Sequence, residues 1–352
     1  GASGMMQLCG NLSSIPFRPF FQKIVKFALP AMSSAPCRLV LTGKSSAEKD
    51  LAKTLKLANL PECETVISSE IIDGGNSFNA TAYMNALSTR TFGRLLIYSP
   101  HLPSTHDIIS KNFEELPLGS ACVTDFQSKG RGRSLNVWES PRGSLLFSFT
   151  LQMEDGRVVP LLQYVVSLAV VEAIKEVCEV SKVPSLEVKI KWPNDLYMNN
   201  LKIGGVLCTS TYKSKKFNIC AGVGLNVDNE MPTTCLNSVL GKLTPLGCRL
   251  QREEILAAFF NQFERFFEVF INKGFGSLDK MYYNAWLHSG QRVTVLNETE
   301  GKMEESVVTI QGLTASGYLT AVGEDDVMCE LHPDGNSFDF FKGLIRRKIG
   351  AP

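Results

Sequence analysis

Residues 130–143 read GRGRSLNVWESPRG and lie between two apolar runs that the sequence predicts as strands. The alternating glycines let the backbone adopt positive φ and approach a ligand closely, while Arg131 and Arg133 offer planar forks of donors to phosphate or carboxylate oxygens. Trp138 adds a flat apolar surface, and the Ser-Pro pair after it favours a turn before the next strand. Most such loops are solvated turns, so this stretch alone predicts a loop and leaves anion binding open.

Three further motifs follow the loop in a fixed order. They read KWPNDLY at residues 191–197, LKIGGV at 201–206 and GVGLNV at 222–227. The alternation before the first motif predicts a strand over residues 186–192, which a proline ends so that Asn194 and Asp195 stand at its tip. Two consecutive asparagines then favour a hairpin turn, and the returning strand brings Lys202 back toward Asp195. In isolation, such a pair is more often an exposed ion pair.

The four motifs together resemble the biotin protein ligase (holocarboxylase synthetase) family. Its pattern is a GRGR loop with W-x-SP-x-G, then KWPND, then K-hydrophobic-(G/A)-G, then G-(V/I)-G-hydrophobic-N, and all four parts are present. The resemblance covers roughly residues 95 to 340, and the eukaryotic branch, plant enzymes in particular, is most similar. It implies an α+β fold: a mixed-sheet catalytic domain of the class II biotin/lipoate ligase type and a small C-terminal SH3-like β-barrel.

The resemblance also implies an activity. Such an enzyme activates biotin with ATP to biotinyl-5′-AMP and pyrophosphate, and then transfers biotin to one lysine of a biotin-dependent carboxylase. The implied ligands are therefore biotin and ATP with Mg²⁺. The implied partners are the biotin carboxyl carrier domains of acetyl-CoA carboxylase and other carboxylases.

Matched position by position, the resemblance implies two groups of site residues. The biotin contacts are Ser104, Thr105, Gln127, Gly130, Arg131, Lys202, Gly205 and Gly222. The ATP contacts are Arg133, Trp138, Asn194, Asp195, Lys202 and Asn226. The sequence departs from the family at His106, where Asn is frequent, and at residues 134–137, which are neutral where many bacterial members are basic.

Within these groups, Lys202, Arg133 and Asp195 are predicted to be catalytic. Lys202 would bridge the biotin carboxylate and the α-phosphate of ATP, two anions that repel each other unless a cation lies between them. Arg131 and Arg133 would close over the adenylate. Asn194 and Asp195 would orient the triphosphate, with Asp195 as the ligand for Mg²⁺. Asp195 is also a candidate acceptor for the proton that the attacking lysine loses.

Composition argues against other classes of protein. The formal net charge of the 352 residues is +1, so no strong positive field exists to gather nucleic acid. The longest apolar stretch, residues 161–174, contains polar residues and is shorter than a membrane span requires. Ten scattered cysteines contain no C-x-x-C pair and the four histidines form no zinc signature, which predicts reduced, mostly buried thiols. We therefore expect no nucleic-acid or membrane partner.

The N-terminal residues 1–37 predict targeting rather than a folded unit. Residues 1–4, GASG, precede Met5 and are interpreted as an artificial extension, and no Asp or Glu occurs from there to residue 47. That composition is typical of a chloroplast or mitochondrial transit peptide, an ordinary unstructured terminus being the alternative. Met32 is a candidate second start that would give a cytosolic form.

The remaining chain divides into three predicted parts: an accessory α/β segment at 38–90, the catalytic domain at 91–287 and the C-terminal domain at 288–352. Patterning predicts a strand over 38–42, a helix over 46–60 and a turn at 74–76 in the first part. A Gly-Lys-Ser triplet there resembles the end of a P-loop, but Arg38 stands where that motif needs glycine, which excludes it. Helices over 160–180 and 252–273 are predicted to be core.

Two alternatives to the ligase stay open at this point. A lipoate ligase shares the fold type but has a different arginine-glycine pattern. A non-enzymatic biotin sensor could retain Gln127 without a working pair of Lys202 and Asp195. Because both residues are present, the sequence favours an enzyme.

Overall fold

The structure is a computed structural model that describes residues 37–60, 65–68, 77–133, 136–229, 231–244, 247–299, 302–332, 336–339 and 344–347. All of these lie in the unit formed by residues 36–352. The predicted transit peptide and the predicted turn at 74–76 lie outside the described residues.

A mixed sheet of nine strands forms the centre of the fold. The strands are β1 Cys37–Gly43, β2 Thr65–Ser68, β3 Leu95–Ser99, β4 Ala121–Thr124, β5 Ser144–Met153, β6 Lys189–Lys191, β7 Asp195–Met198, β8 Leu201–Lys213 and β9 Lys216–Asn226. Their order is β2-β1-β3-β4-β5-β9-β8-β7-β6. Only β1 with β2 and β3 with β4 pair in parallel, and every other pair is antiparallel.

Helices cover both faces of this sheet. They are α1 Ser46–Thr54, α2 Ala80–Ala86, α3 Thr105–Lys111, α4 Leu162–Val180, α5 Leu236–Leu243, α6 Arg252–Lys273 and α7 Asp279–Ala285. Helices α2, α4 and α6 share the larger core with β5, and α1 and α3 share the smaller core on the other face. The prediction that the helix over 252–273 is core is confirmed in α6: Phe259, Phe263, Phe266 and Phe270 are all buried because their spacing places them on one face.

The segment before residue 91 continues the main sheet. β1 pairs with β3 of the neighbouring part, and α2 packs against α6. The carboxylate of Asp125, at the end of β4, accepts from the Phe78 amide at 3.1 Å and from the Tyr98 hydroxyl at 2.6 Å, and it pairs with Arg252 at 2.8 Å. This buried network joins the segment, the sheet and α6. The predicted domain boundaries stay a prediction.

Two predicted elements are shorter in the structure. α1 begins after a Ser45–Glu48 capping box and ends at Thr54 instead of residue 60, since the chain turns to an extended conformation at Leu55 and buries Leu57 in the smaller core. The strand predicted over 186–192 is reduced to β6, because the Val188 amide bonds back to the carbonyl of residue 186 and tightens the chain before the sheet begins.

The C-terminal part forms a second sheet of six strands. These are β10 Arg292–Thr299, β11 Lys302–Leu313, β12 Leu319–Gly323, β13 Met328–Leu331, β14 Asn336–Asp339 and β15 Leu344–Arg347, in the order β13-β12-β11-β10-β15-β14. The predicted α+β fold, with a large mixed sheet and a small C-terminal β unit, is thus confirmed. In the described part of the chain, no helix has the length and apolar character needed to cross a bilayer.

Candidate functional site

The predicted site residues converge on one cavity of about 330 Å³. It is bounded by the start of α3, the arginine-glycine loop, the turn between β6 and β7, and the paired strands β8 and β9. Of the predicted residues, those that line it are Ser104, Thr105, Gln127, Arg131, Arg133, Trp138, Asn194, Asp195, Lys202, Gly205 and Gly222.

Glycines leave the floor of the cavity bare. Gly205 and Gly224 are paired across β8 and β9, and Gly222 pairs with Leu207 one step further along. A Cβ atom on Gly224 would lie 2.6 Å from Cε2 of Trp138, so the indole can rest there only because no side chain stands beneath it. A Cβ atom on Gly222 would lie 2.9 Å from the hydroxyl of Ser148. The floor is therefore shaped for flat groups that lie close to the backbone.

The arginine-glycine loop is a small hairpin. Arg131 forms a bridge with Val137, and the Trp138 amide donates to the carbonyl of Gly130 at 3.0 Å. The guanidinium of Arg131 pairs with Asp107 in the first turn of α3. That of Arg133 donates to Oδ1 of Asn194 at 3.2 Å and so reaches across the cavity. The loop thus presents two cations to the same space, as predicted.

The predicted approach of Lys202 to Asp195 is confirmed. Lys202 Nζ lies 2.7 Å from Oδ1 of Asp195. The connecting turn has positive φ at Asn199 (50°) and Asn200 (63°), as a tight hairpin of this kind requires. The lysine also lies 5.4 Å from the ring of Trp138, within the range of a cation–π contact. An ammonium, a carboxylate and an aromatic face therefore meet at one point.

A chain of hydrogen bonds lines the opposite end of the cavity. Oε1 of Gln127 accepts from the amide and the hydroxyl of Thr105, at 2.8 and 3.1 Å, and its Nε2 donates to Ser140 at 3.0 Å. Thr105 also bonds to the hydroxyl of Ser148 at 2.9 Å. Ser104 caps α3 by accepting from the Asp107 amide at 3.3 Å. This end offers neutral donors and acceptors, in contrast to the charged end around Lys202.

Two buried nitrogen atoms near the cavity have no hydrogen-bond partner among the described residues: Nδ1 of His106 and Nε1 of Trp138. The other ring nitrogen of His106 lies 3.0 Å from the hydroxyl of Thr209. Burial lowers the pKa of His106, as does the nearby charge of Arg131, so the ring is neutral at pH 7. Neutral, unsatisfied nitrogens at a cavity wall are suited to a ligand with polar groups of its own.

Two predicted residues do not line the cavity. Gly130 is buried behind the loop, where a Cβ atom would lie 2.7 Å from the Ser140 hydroxyl. The Asn226 amide donates to the carbonyl of Thr234 at 3.1 Å and to Thr233 at 3.3 Å, and Thr233 in turn donates to the Lys202 carbonyl at 2.6 Å. Asn226 therefore supports the loop behind Lys202, and its contact with a nucleotide stays a prediction.

Several cavity residues were not assigned a role from sequence, and His106, Ser148 and Lys191 are the polar side chains among them that have contacts within the site. Ser148 lies between two phenylalanines of β5, but that strand also contains Ser144, Thr150 and Gln152, so the sequence carried no signal that singled it out. Lys191 lies 4.0 Å from Oδ2 of Asp195. Lys191 belongs to the KWPND motif, so the sequence could place it beside the predicted site. The sequence could not predict that its side chain points into the cavity.

Within the described residues, no three His, Cys, Asp or Glu side chains are grouped so that they could hold a metal ion. The seven cysteines whose side chains the structure describes are free, and four of them are buried, in line with the prediction of reduced thiols. Asp195, with the neighbouring Asn194, is the oxygen-bearing pair at the charged end of the cavity.

Comparison with known proteins gives matches over both sheets. The model of the Biotin/lipoate A/B protein ligase family matches residues 98–226, and that of the Biotin protein ligase C terminal domain matches residues 288–343. The chain is 60% identical over 343 residues to Biotin--protein ligase 1, chloroplastic, of Arabidopsis thaliana, covering 94% of each chain. It is 60% identical over 325 residues to Biotin--protein ligase 2 of the same plant, covering 90% of this chain and 99% of the relative.

A solved structure gives a further match. Biotin protein ligase from Aquifex aeolicus in complex with biotin and ATP superposes with a TM-score of 0.53 at 26% identity, covering 74% of this chain and 100% of that chain.

Proposed function

The chain belongs to the biotin protein ligase family, and we infer that it joins biotin to a protein lysine by way of biotinyl-5′-AMP. The observation that carries this conclusion is the contact of Lys202 with Asp195, 2.7 Å long, inside a cavity with a neutral polar end and a cationic end. Such a cavity can hold an uncharged ring at one end and bring two anions together at the other.

In the first step, an oxygen of the biotin carboxylate attacks the α-phosphorus of ATP, and the bond to the bridging oxygen breaks to release pyrophosphate. Both reactants are negative, so the barrier contains their mutual repulsion. Lys202 is 38% exposed on its side chain and can contact both anions, which places one positive charge between them. A preorganised charge of this kind is worth a few kcal/mol of barrier. We propose Lys202 as the principal catalytic residue.

The neutral end of the cavity fits the ureido ring of biotin. Such a ring needs one acceptor for its N–H groups and donors for its carbonyl, and a buried polar group left without a partner costs about 1–3 kcal/mol. Ser104, Thr105 and Gln127 supply both kinds of group. Their own hydrogen bonds are 2.8 to 3.3 Å long and hold these groups in place. The bare backbone at Gly205 and Gly222 leaves room for the rest of the molecule. We propose these residues, with Arg131, as the biotin contacts.

The cationic end fits the nucleotide. The indole of Trp138 packs against the bare backbone at Gly224 and offers an apolar surface for adenine. Arg133 already donates to Asn194, and a guanidinium in that position can donate two hydrogen bonds to phosphate oxygens. Arg133, Trp138, Asn194 and Asp195 are therefore the proposed ATP contacts. A contact from Asn226 remains a prediction that would require its loop to move.

The residues present fit a magnesium ion that arrives with ATP rather than one held by protein alone. Mg²⁺ is commonly bound by one or two carboxylates together with phosphate oxygens and water. Asp195 supplies the carboxylate, and no larger group of ligands surrounds it among the described residues. When bound, the ion would neutralise phosphate charge. The protein's part is to orient the triphosphate through Asn194 and Asp195.

In the second step, the amine of an acceptor lysine attacks the acyl carbon, AMP leaves with its phosphate oxygen, and the amine loses a proton. We propose Asp195 as the group that assists this loss. Asp195→Asn should then slow transfer from preformed biotinyl-5′-AMP to an acceptor domain, measured in a single turnover. An unchanged transfer rate would remove that role from Asp195.

The natural acceptors that we propose are biotin carboxyl carrier domains of acetyl-CoA carboxylase and related enzymes. A relative with 60% identity carries the name chloroplastic, which supports a chloroplast location for this chain too. A mitochondrial form, and a cytosolic form that begins at Met32, are further proposals that rest on the N-terminal composition alone.

One experiment tests the activity directly. The protein is mixed with biotin, ATP, Mg²⁺ and a carrier domain, and the products are analysed for pyrophosphate and for biotin on one lysine by mass spectrometry. We expect both products, no lipoyl transfer when lipoate replaces biotin, and a loss of at least about 100-fold in adenylate formation for Lys202→Ala. Absence of biotinyl-5′-AMP with the wild-type protein would refute the proposal.

A further inference from the structure

A buried histidine connects the C-terminal part to the turn that carries Asn194 and Asp195. No surface of His288 is exposed, and its Nε2 accepts a hydrogen bond from the backbone amide of Trp192 at 2.9 Å. A backbone amide can only donate, so Nε2 carries no proton. In the neutral ring the proton is then on Nδ1, which donates to Oε1 of Gln291 at 3.0 Å. The two bonds fix both the orientation and the tautomer of the imidazole.

The same junction is held at other points. The Leu287 amide donates to the carbonyl of Ile190 at 3.0 Å. The indole of Trp192 donates to the hydroxyl of Tyr164 at 3.0 Å, and that hydroxyl donates to the carbonyl of Gly317 at 2.5 Å. Trp192 is therefore held twice: its backbone amide bonds to His288, and its indole bonds to Tyr164.

We propose that His288 is a positioning residue for the nucleotide half of the site, acting through the Trp192 amide. Asn194 and Asp195 follow Trp192 by two and three residues, so a rotation of the Trp192 peptide moves their side chains relative to Lys202. The ring of His288 does not line the cavity, and its effect is therefore indirect. This inference rests on the proposed function, in which Asn194 and Asp195 of this turn contact ATP.

The effect should be confined to one half of the cavity. The polar biotin contacts Ser104, Thr105 and Gln127 lie at the start of α3 and just after β4, and the hydrogen bonds of Thr105 and Gln127 run to each other, to Ser140 and to Ser148, not to the C-terminal part. Loss of the His288 contact leaves a buried amide without a partner, and the turn can relieve this only by shifting. ATP must then restore the arrangement when it binds, which raises the KM for ATP and leaves biotin binding unchanged.

Three variants separate positioning from general stability. His288→Leu fills a similar volume but cannot accept the Trp192 hydrogen bond. His288→Gln keeps an acceptor and a donor on one side chain. Tyr282→Phe is the matched control, because its buried hydroxyl has no hydrogen-bond partner among the described residues and lies near the same junction. Each folded variant is assayed for the KM and kcat of adenylate formation with ATP varied, and for the Kd of biotin by calorimetry.

We expect His288→Leu to raise the KM for ATP about tenfold, the effect of one lost buried hydrogen bond, with biotin Kd and kcat within about twofold of wild type. His288→Gln should restore most of the KM, and Tyr282→Phe should match the wild type. A wild-type KM in His288→Leu, an equal loss of biotin affinity, or failure of His288→Gln to restore the KM would each overturn the inference. A wild-type protein that makes no biotinyl-5′-AMP would instead refute the proposed function on which it rests.

Discussion

Substitution of Gly224 by alanine tests the idea that the indole of Trp138 depends on a bare strand beneath it. The added Cβ would lie 2.6 Å from Cε2 of the indole, whereas ordinary van der Waals contact begins at 3.4 Å, so the ring must move by about 1 Å. Overpacking of this kind costs about 1–3 kcal/mol. Trp138 belongs to the loop rather than to the core, so the ring should yield and the fold should survive. Its contact with Lys202 is then disturbed.

The expected result is a rise of about tenfold in the KM for ATP with little change in the unfolding midpoint, since 1.4 kcal/mol corresponds to a factor of ten. The KM is measured by pyrophosphate release, and the midpoint by urea titration. Gly241→Ala is a suitable control, because a Cβ atom there meets nothing within 4 Å.

A double-mutant cycle with Trp138→Ala makes the reasoning refutable. Once the indole is gone, alanine at position 224 has no ring to displace, so Gly224→Ala should add little to the effect of Trp138→Ala alone. If Gly224→Ala raised the KM equally in both backgrounds, the cause would lie in the strand itself, and the proposed contact between ring and glycine would be wrong.

Three further outcomes follow from buried and exposed groups. Asp125→Ala leaves Arg252 as a buried charge without its partner, 2.8 Å away in the wild type, and should lower the unfolding free energy by about 3–5 kcal/mol in urea titrations. Burial lowers the pKa of His288 to about 4, whereas the unfolded chain takes up that proton near pH 6.5. Stability should therefore fall by about 1.4 kcal/mol per unit as pH drops through this window, and His288→Gln should remove that slope; an equal slope in the variant would assign it to other groups. Among the seven cysteines whose side chains the structure describes, Cys248 alone is exposed, so brief alkylation of the folded protein should modify it before the other six, as peptide mapping can check.

The parts of the site that could be predicted from sequence are those set by local structure. Asp195 and Lys202 lie on one hairpin, and a pair of asparagines that tolerate positive φ fixes their separation. The phenylalanines of α6 follow the helical period, so their burial was also readable. In these cases a few consecutive residues determine the geometry.

Contacts between distant residues could not be predicted in the same way. The pairing of β1 with β3 and the reach of Asp125 to Arg252 depend on how separate elements pack. The position of His288 behind the turn that carries Asn194 and Asp195 also depends on packing between distant elements, since His288 is 96 positions from Trp192 in the chain. Helix α1 ended early for a related reason, because burying Leu57 outweighed the local helical preference.

The hydrogen bonds of Gln127 have a consequence for the thermodynamics of binding. Its carbonyl oxygen already accepts two hydrogen bonds from Thr105, so a ligand N–H that binds this oxygen must take the place of one of them. Such an exchange changes the total number of bonds very little and releases little heat. This end of the cavity then selects against ligands that cannot replace the lost hydrogen bond. The favourable free energy of binding comes instead from dehydration of the ligand ring. A negative heat-capacity change would be its calorimetric mark.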